Sequence, residues 1–93
     1  MIHAEAVKAV QELLVERGIE AREDERWGDY VARGLGVSDT QAEAFLYALD
    51  QNKTIDEACA EAGIPADRGD DGLFVDIARV IGRALGSLNS RST

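Results

Sequence analysis

The sequence predicts an all-α fold, a compact bundle of four to five short helices. The chain of 93 residues contains one proline and is rich in alanine, glutamate, leucine and arginine, a composition that favours helices. Apolar residues recur at helical spacing in successive segments, and no segment alternates apolar and polar residues as a half-buried strand would. A chain of this length forms one domain, which we place at residues 1–88.

The first predicted helix spans residues 3–17. Its apolar face is formed by residues at helical spacing: Ile2, Ala6, Val10, Leu13 and Leu14. Gly18 follows this helix, and Ile19 follows the glycine. A glycine in the left-handed conformation with an apolar residue behind it is a common helix terminus, so we expect the helix to end here.

A short second helix is predicted after an acidic link at residues 20–25. Asp24 is its candidate N-cap, because the carboxylate can accept hydrogen bonds from the first free backbone amides of a helix. An amphipathic stripe follows, and two glycines bracket its end: Trp27, Tyr30, Val31 and Leu35. We expect Trp27 to anchor the core together with Phe45 of the third helix.

Two capping boxes mark the next two helices. In this motif a Ser or Thr and a Glu or Gln three positions later each accept a hydrogen bond from the other's backbone amide. Ser38 and Gln41 begin the third helix, and Thr54 and Glu57 begin the fourth. The third helix ends at residues 51–53, and a glycine ends the fourth. Their inward faces are apolar: Ala42, Phe45, Leu46, Leu49, Ile55, Ala58, Cys59 and Ala62.

The last part of the chain is predicted to be a loop, a helix and a tail. Residues 66–72 are polar and acidic, which predicts a loop. The fifth helix is expected over residues 73–88, with an apolar face at helical spacing: Leu73, Ile77, Ile81, Ala84, Leu85 and Leu88. Residues 89–93 are polar and are expected to form a flexible C-terminal tail.

The middle of the chain carries one recognisable motif. Residues 45–49 read FLYAL, and residues 53–64 read KTIDEACAEAGI. This pattern resembles the helix-turn-helix opening of phage terminase small subunits and related DNA-binding regulators. The resemblance implies a helix-turn-helix-like pair, with Ala58 and Ala62 where the helices approach closely. Those families continue with a basic recognition helix, whereas residues 65–72 read PADRGDDG, so no DNA contact transfers to a residue of this chain.

Composition argues against several classes of function. The net charge of −8 does not favour a nucleic-acid-binding surface, which is ordinarily basic. A single cysteine excludes an internal disulfide and a cysteine-based metal cage. A single histidine argues against most zinc sites. Cys59 lies on an apolar helix face and is expected to be a buried, inert thiol. No catalytic, phosphate-binding or metal-ligand motif is present, so we predict a non-enzymatic protein without a cofactor.

The beginning of the chain bears on its compartment. Residues 1–10 lack the basic region and the long apolar run of a secretory signal. No segment approaches the roughly 18 consecutive apolar residues that cross a membrane. We therefore expect a cytoplasmic protein without membrane contact.

Candidate partner-binding residues combine acids, aromatic side chains and arginines: Tyr47, Asp67, Asp70, Asp71, Phe74, Arg79 and Arg83. Tyr47 lies off the apolar stripe of its helix, and Phe74 lies beside the stripe of the fifth. If both are exposed, they form a contact patch with the neighbouring acids, since interfaces favour aromatic residues. Arg79 and Arg83 share one helix face, where they either complement the helix dipole or contact an anion or an acidic partner.

Small residues recur every four positions on the fifth helix, at Ala78, Gly82 and Gly86. Glycine inside a helix destabilises it by about 1 kcal/mol relative to alanine, which suggests a reason for two of them. Close approach of another element supplies such a reason. The neighbour is either Trp27 or Tyr30 of the same chain or the same helix of a second copy, which would make a homodimer.

These observations leave two functional hypotheses of different class. The first is an acidic regulatory or adaptor module of bacterial or phage type, which binds another protein. The alternative is a helix-turn-helix-like DNA-binding regulator that acts as a dimer through a basic C-terminal helix. The acidic, glycine-bearing segment at residues 65–72 favours the protein partner over nucleic acid.

Overall fold

Short helices follow one another through the chain in the computed structural model, which describes residues 3–70 and 72–91 and the side chains of residues 3–68 and 72–86. Within these residues there are five α-helices, one 3₁₀ helix and no strand. The elements are α1 (Ala4–Glu16), α2 (Trp27–Leu35), α3 (Asp39–Asp50), α4 (Ile55–Ala62), the 3₁₀ helix (Ala66–Asp70) and α5 (Gly72–Arg91). The predicted all-α class is confirmed.

The helix starts at α3 and α4 are the predicted capping boxes. Ser38 Oγ accepts a hydrogen bond from the Gln41 backbone N–H at 3.1 Å, and Gln41 Oε1 accepts one from the Ser38 N–H at 3.1 Å. Thr54 and Glu57 make the same reciprocal pair at 3.2 and 3.3 Å. Each box satisfies backbone donors that a helix start leaves free, which stabilises the protein by about 1 kcal/mol per cap.

The ends of α1 to α4 also share one type of C-terminal cap. Each is followed by a residue with a positive φ: Gly18, Gly36, Asn52 and Gly63. The next residue then donates its backbone N–H to a carbonyl five positions back, as Ile19 does to Leu14 at 2.9 Å. This confirms the predicted terminus at Gly18. Asn52 does the same at the end of α3, since asparagine tolerates the left-handed conformation better than most residues.

The core lies where α1 packs on α5 and where α3 packs on α2, α4 and α5. Phe45 and Phe74 meet at its centre, edge to face, with ring centroids 5.2 Å apart. Phe45 is the predicted core anchor. Phe74 was expected at an exposed contact patch, and that expectation is wrong, because its side chain is only 1% exposed. The buried face of α5 follows positions 74, 77 and 81, so Phe74 itself turns inward.

The start of α2 differs from the prediction. Arg26 is its N-cap residue and makes no side-chain cap, while Asp24 adopts a positive φ of 66° in the preceding link. The link is held from a distance by Arg33, whose guanidinium pairs with Glu25 at 2.9 Å and donates to the Glu20 carbonyl at 2.6 Å. The Arg33 hydrogen bond lowers the pKa of Glu25 to about 2. Long-range pairing therefore organises this segment instead of a local cap.

The segment between α4 and α5 is helical where a loop was predicted. Its residues form the 3₁₀ helix Ala66–Asp70 in place of a loop. Arg68 fastens this helix to the fold: its Nη2 donates to the Leu35 carbonyl at 2.8 Å, and its guanidinium lies 5.7 Å from the centre of the Phe74 ring. The arginine thereby satisfies a free carbonyl at the end of α2.

The fifth helix is longer than predicted. It runs from Gly72 to Arg91 and so includes residues 89–91, which were expected to belong to the tail. Residues 92–93 lie outside the described residues, as do Asp71 and the side chain of Asp70. Across the described part of the chain, no helix combines the length and apolar character that crossing a membrane requires.

Candidate partner-binding groove

An apolar groove of about 610 Å³ opens between α1, α2 and α3. We call it the Trp27–Tyr47 groove. Its lining is Val7, Trp27, Gly28, Thr40, Glu43, Ala44 and Tyr47. The volume lies within the range of about 300–1,000 Å³ that ligand pockets span.

Two faces of α3 explain how the groove forms. One face enters the core at helical spacing: Ala42, Phe45, Leu46 and Leu49. The second face follows the same spacing and lines the groove: Thr40, Glu43, Ala44 and Tyr47. Ala44 and Tyr47 therefore add apolar surface to α3 outside its core face. Sequence reasoning identified the first face and only Tyr47 of the second.

Tyr47 is exposed, as predicted, with 48% of its side chain accessible. Among the described residues it shares this property with one other large apolar side chain, Val15, which is 59% exposed on α1. The two differ in their surroundings. Val15 lies with Gln11, Glu12 and Glu16 on the outside of its own helix, whereas Tyr47 borders a groove built from three helices.

Trp27 is not a buried core anchor, which corrects the sequence prediction. It packs against the core on one side, remains only partly buried, and lines the groove. Its indole Nε1 is shielded from solvent and has no hydrogen-bond partner among the described residues. A buried donor without an acceptor costs about 1–3 kcal/mol. Because the nitrogen is shielded, an acceptor from outside the chain reaches it only if the indole ring turns towards the groove.

Glu43 supplies the charge of the groove. A Cβ added at Gly28 would lie 2.9 Å from Glu43 Oε1, so this glutamate reaches across to the start of α2. Within the described residues Glu43 forms no ion pair. The sequence neighbours of the lining are two bases and two acids, which offset each other: Lys8, Arg26, Asp29 and Asp39. Glu43 therefore makes the net charge of the groove negative.

The arginines predicted for partner contact lie elsewhere. Arg79 approaches Asp76 at 3.7 Å, and the same aspartate pairs with Arg17 at the end of α1. Arg83 lines a second groove of about 470 Å³ between α1 and α5. Three glutamates of α1 share that lining: Glu5, Glu12 and Glu16. The basic side of α5 thus faces the acids of its own fold.

The predicted acidic and aromatic patch lacks Phe74. Tyr47 borders the groove, Phe74 lies in the core, and Asp67 is exposed on the 3₁₀ helix. The side chains of Asp70 and Asp71 fall outside the described residues. The shared sequence neighbourhood of Phe74 and these acids suggested the patch, but the rotation of α5 separates the ring from the surface.

Gly82 and Gly86 on α5 show no close packing against the described residues. A Cβ built at either position would meet none of their atoms within 4 Å, so neither glycine approaches Trp27 or Tyr30. Ala78 is partly buried and packs against the core. Gly34 on α2 has the close contact instead: a Cβ there would lie 3.0 Å from Leu14 Cδ2. The homodimer through this face of α5 stays a prediction.

The chain's lone cysteine and lone histidine have structural surroundings. Cys59 is 1% exposed, and burial raises the pKa of its thiol, which keeps the sulfur protonated and a poor nucleophile. The backbone N–H of His3 donates to Asp50 Oδ1 at 3.1 Å, and His3 Nδ1 lies 2.9 Å from the same oxygen. This contact joins the start of α1 to the end of α3. Sequence reasoning missed it because the partners are 47 positions apart.

Comparison with other proteins returns nothing that identifies the chain. The helix-turn-helix resemblance of residues 45–64 therefore stays a prediction, and the groove is interpreted from its own residues. No family model, curated protein or solved structure matches this sequence or this fold.

Proposed function

We propose that this chain is a non-enzymatic, acidic regulatory or adaptor module that binds another protein through the Trp27–Tyr47 groove. The observation that carries the proposal is the groove itself, in which an exposed tyrosine and a partly buried tryptophan border one apolar surface. Tyrosine and tryptophan are the residues most enriched at the energetic centres of protein interfaces.

The unpartnered indole of Trp27 supports the same proposal. A fold that buries a donor without an acceptor loses stability, and a rotation of the indole ring towards the groove would let a partner supply the acceptor on binding. Tyr47 adds apolar area that the fold leaves in water. For both groups, contact with a partner surface is more favourable in free energy than their surroundings in the free chain.

Site-specific photo-crosslinking inside the native cell tests this proposal. A benzophenone amino acid at position 47 should form covalent adducts with one protein partner on irradiation. The same amino acid at Val15 is the matched control, since Val15 is more exposed than Tyr47 on a helix but lies outside the groove. Equal adducts at both positions, or none at position 47, would contradict the proposal. An adduct of two copies of this chain would replace the protein partner with a homodimer.

A DNA-binding regulator is the second candidate. The direct packing of α3 on α4, joined by the short connection at residues 51–54, supports the predicted helix-turn-helix-like pair. Opposing it, the segment after α4 is a short 3₁₀ helix with an exposed Asp67 instead of a basic recognition helix.

Salt-dependent binding to mixed-sequence duplex DNA separates the two candidates. Phosphate-driven binding weakens steeply between about 50 and 200 mM salt. We expect no anisotropy change with labelled duplex at micromolar protein, even at the lowest salt. Binding that weakens with salt would favour the regulator, and Arg79→Ala and Arg83→Ala would then be the first variants to measure.

A further inference from the structure

We infer that the Trp27–Tyr47 groove accepts a basic amphipathic α-helix of the partner protein. This inference rests on the proposed function, because it names the chemistry of the partner at the same groove. Three features of the groove carry it: the helical walls, the unpaired carboxylate of Glu43 and the unpartnered indole N–H of Trp27.

The walls of the groove favour a helix as the occupant. An extended peptide gains its affinity by pairing with the free edge of a sheet, and the described residues contain no strand. An incoming helix satisfies its own backbone and needs only apolar side chains to fill the space between α1, α2 and α3. Ala44 is small and lies between Thr40 and Tyr47 on α3, so a neighbouring helix can approach closely there.

The charge of the groove favours a basic occupant. Glu43 is the charged residue of the lining, and its carboxylate is exposed and free of an ion pair within the described residues. A lysine or arginine at the border of the occupant's apolar face would pair with it. The net charge of −8 adds long-range attraction for a cationic partner and repels an acidic one.

Trp27 adds a directional requirement. Its N–H is buried and lacks an acceptor, so an occupant whose binding turns the indole ring towards the groove can supply one, such as a glutamine or serine side chain within its otherwise apolar face. Because Trp27 is the chain's one tryptophan, its fluorescence and its single indole N–H resonance report on this groove alone.

Three synthetic peptides without tryptophan test the inference on the full chain. The first is an amphipathic helix of leucine and lysine with one glutamine in its apolar face. In the second, glutamate replaces each lysine. The third has the composition of the first in an order that abolishes the apolar face. We expect the first peptide to shift the Trp27 emission and the indole resonance, and to bind about tenfold more tightly than the other two.

Variants locate the binding. Tyr47→Ala should weaken the leucine–lysine peptide about tenfold, as truncation of an interface aromatic does, whereas Val15→Ala leaves it unchanged. Glu43→Lys should weaken it several-fold and improve the glutamate peptide. Glu23→Lys carries the same net charge outside the groove and is the matched control. Circular dichroism of each variant checks that the helices are intact.

The outcomes separate this inference from the proposed function. If the glutamate peptide binds the groove as tightly as the lysine peptide, the basic occupant is wrong and the docking groove stands. If the lysine peptide binds without changing the Trp27 signals, or equally well to Tyr47→Ala, it binds elsewhere on the acidic surface and the inference is overturned. If no peptide binds, the inference is also overturned, and crosslinking at position 47 then decides the proposed function independently.

Discussion

The groove side of the molecule and its C-terminal side use similar residues in opposite ways. The C-terminal side, which comprises the 3₁₀ helix and α5, directs its aromatic and charged groups into its own fold. Phe74 lies in the core, Arg68 binds the Leu35 carbonyl, and Asp76 pairs with arginines of two helices. The groove side leaves Tyr47 exposed, and neither Glu43 nor the Trp27 N–H has a partner among the described residues.

This difference shows which residues indicate a contact surface. Aromatic residues and arginines are common both at interfaces and inside folds, so residue type alone does not distinguish the two. The C-terminal side was the richer of the two in predicted contact residues, with Phe74, Arg79 and Arg83. Its groups meet internal partners, whereas the groove side holds groups that the fold leaves unsatisfied. Four predictions test this contrast, in order of decreasing effect.

Phe74→Ala should have the largest effect on the free energy of unfolding. The ring is 1% exposed and packs edge to face on Phe45, so its removal should destabilise the protein by about 3–5 kcal/mol. Tyr47→Ala should change the stability by less than about 1 kcal/mol, since 48% of Tyr47 is already in water. Urea denaturation measures both.

If Phe74→Ala does not fold, Phe74→Leu is measured in its place. Its free energy of unfolding should be lower than that of the wild type by about 1–2 kcal/mol, because leucine packs imperfectly in the space of the ring. Equal losses for the two aromatic positions would remove the contrast between the sides of the molecule.

Gly34→Ala should be destabilising by about 1 kcal/mol. The added methyl would lie 3.0 Å from Leu14 Cδ2 and 3.5 Å from Ile19 Cδ1, and Leu14 is fully buried, so the contact cannot relax freely. The strain outweighs the gain in helix propensity that alanine brings. A midpoint of thermal unfolding above that of the wild type would contradict this prediction. It would show that α1 shifts enough to accommodate the added methyl group.

Gly82→Ala should instead stabilise the protein by about 0.5–1 kcal/mol. A Cβ at Gly82 meets no atom within 4 Å, and alanine is the better residue inside a helix. Thermal unfolding measures the gain, and sedimentation at high protein concentration shows whether the oligomeric state changes. A loss of stability that accompanies dissociation would instead support the predicted homodimer through this face of α5.

Replacement of Glu25 should produce the smallest loss of stability, which is present above pH 4.5 and disappears in acid. Its pKa is lowered to about 2 in the folded chain by Arg33, from an ordinary value of 4.5. A lowered pKa means that the ion pair stabilises the fold above pH 4.5 and that this contribution is lost as the pH falls from 4.5 towards 2. The free energy of unfolding of Glu25→Gln should therefore fall less steeply with decreasing pH over that interval than that of the wild type. Urea denaturation at several pH values measures this dependence.

Glu23→Gln serves as the control for Glu25, because Glu23 is exposed in the same link. An identical acid dependence for both variants would show that the Arg33 pairing does not contribute to stability.

Local signals account for most of what could be predicted. The capping boxes at Ser38 and Thr54 and the terminus at Gly18 depend on atoms within five positions, so the sequence contains all the information they need. The candidate site was predicted less well. Tyr47 was identified because it lies off the core stripe of α3. Glu43 and Ala44 lie on the same face, but nothing in the sequence distinguishes them from ordinary surface residues of a helix.

The sequence was sufficient for the helical class, for helix termini such as those at Gly18, Ser38 and Thr54, and for the burial of the short apolar stripes, because propensity, capping and periodicity act within one helix. Tertiary structure alone decided that α5 turns Phe74 inward, that Arg33 replaces the expected cap at Asp24, and that Trp27 opens onto a groove. A helix rotates by about 100° per residue, and only the elements packed against it select which of its faces is buried.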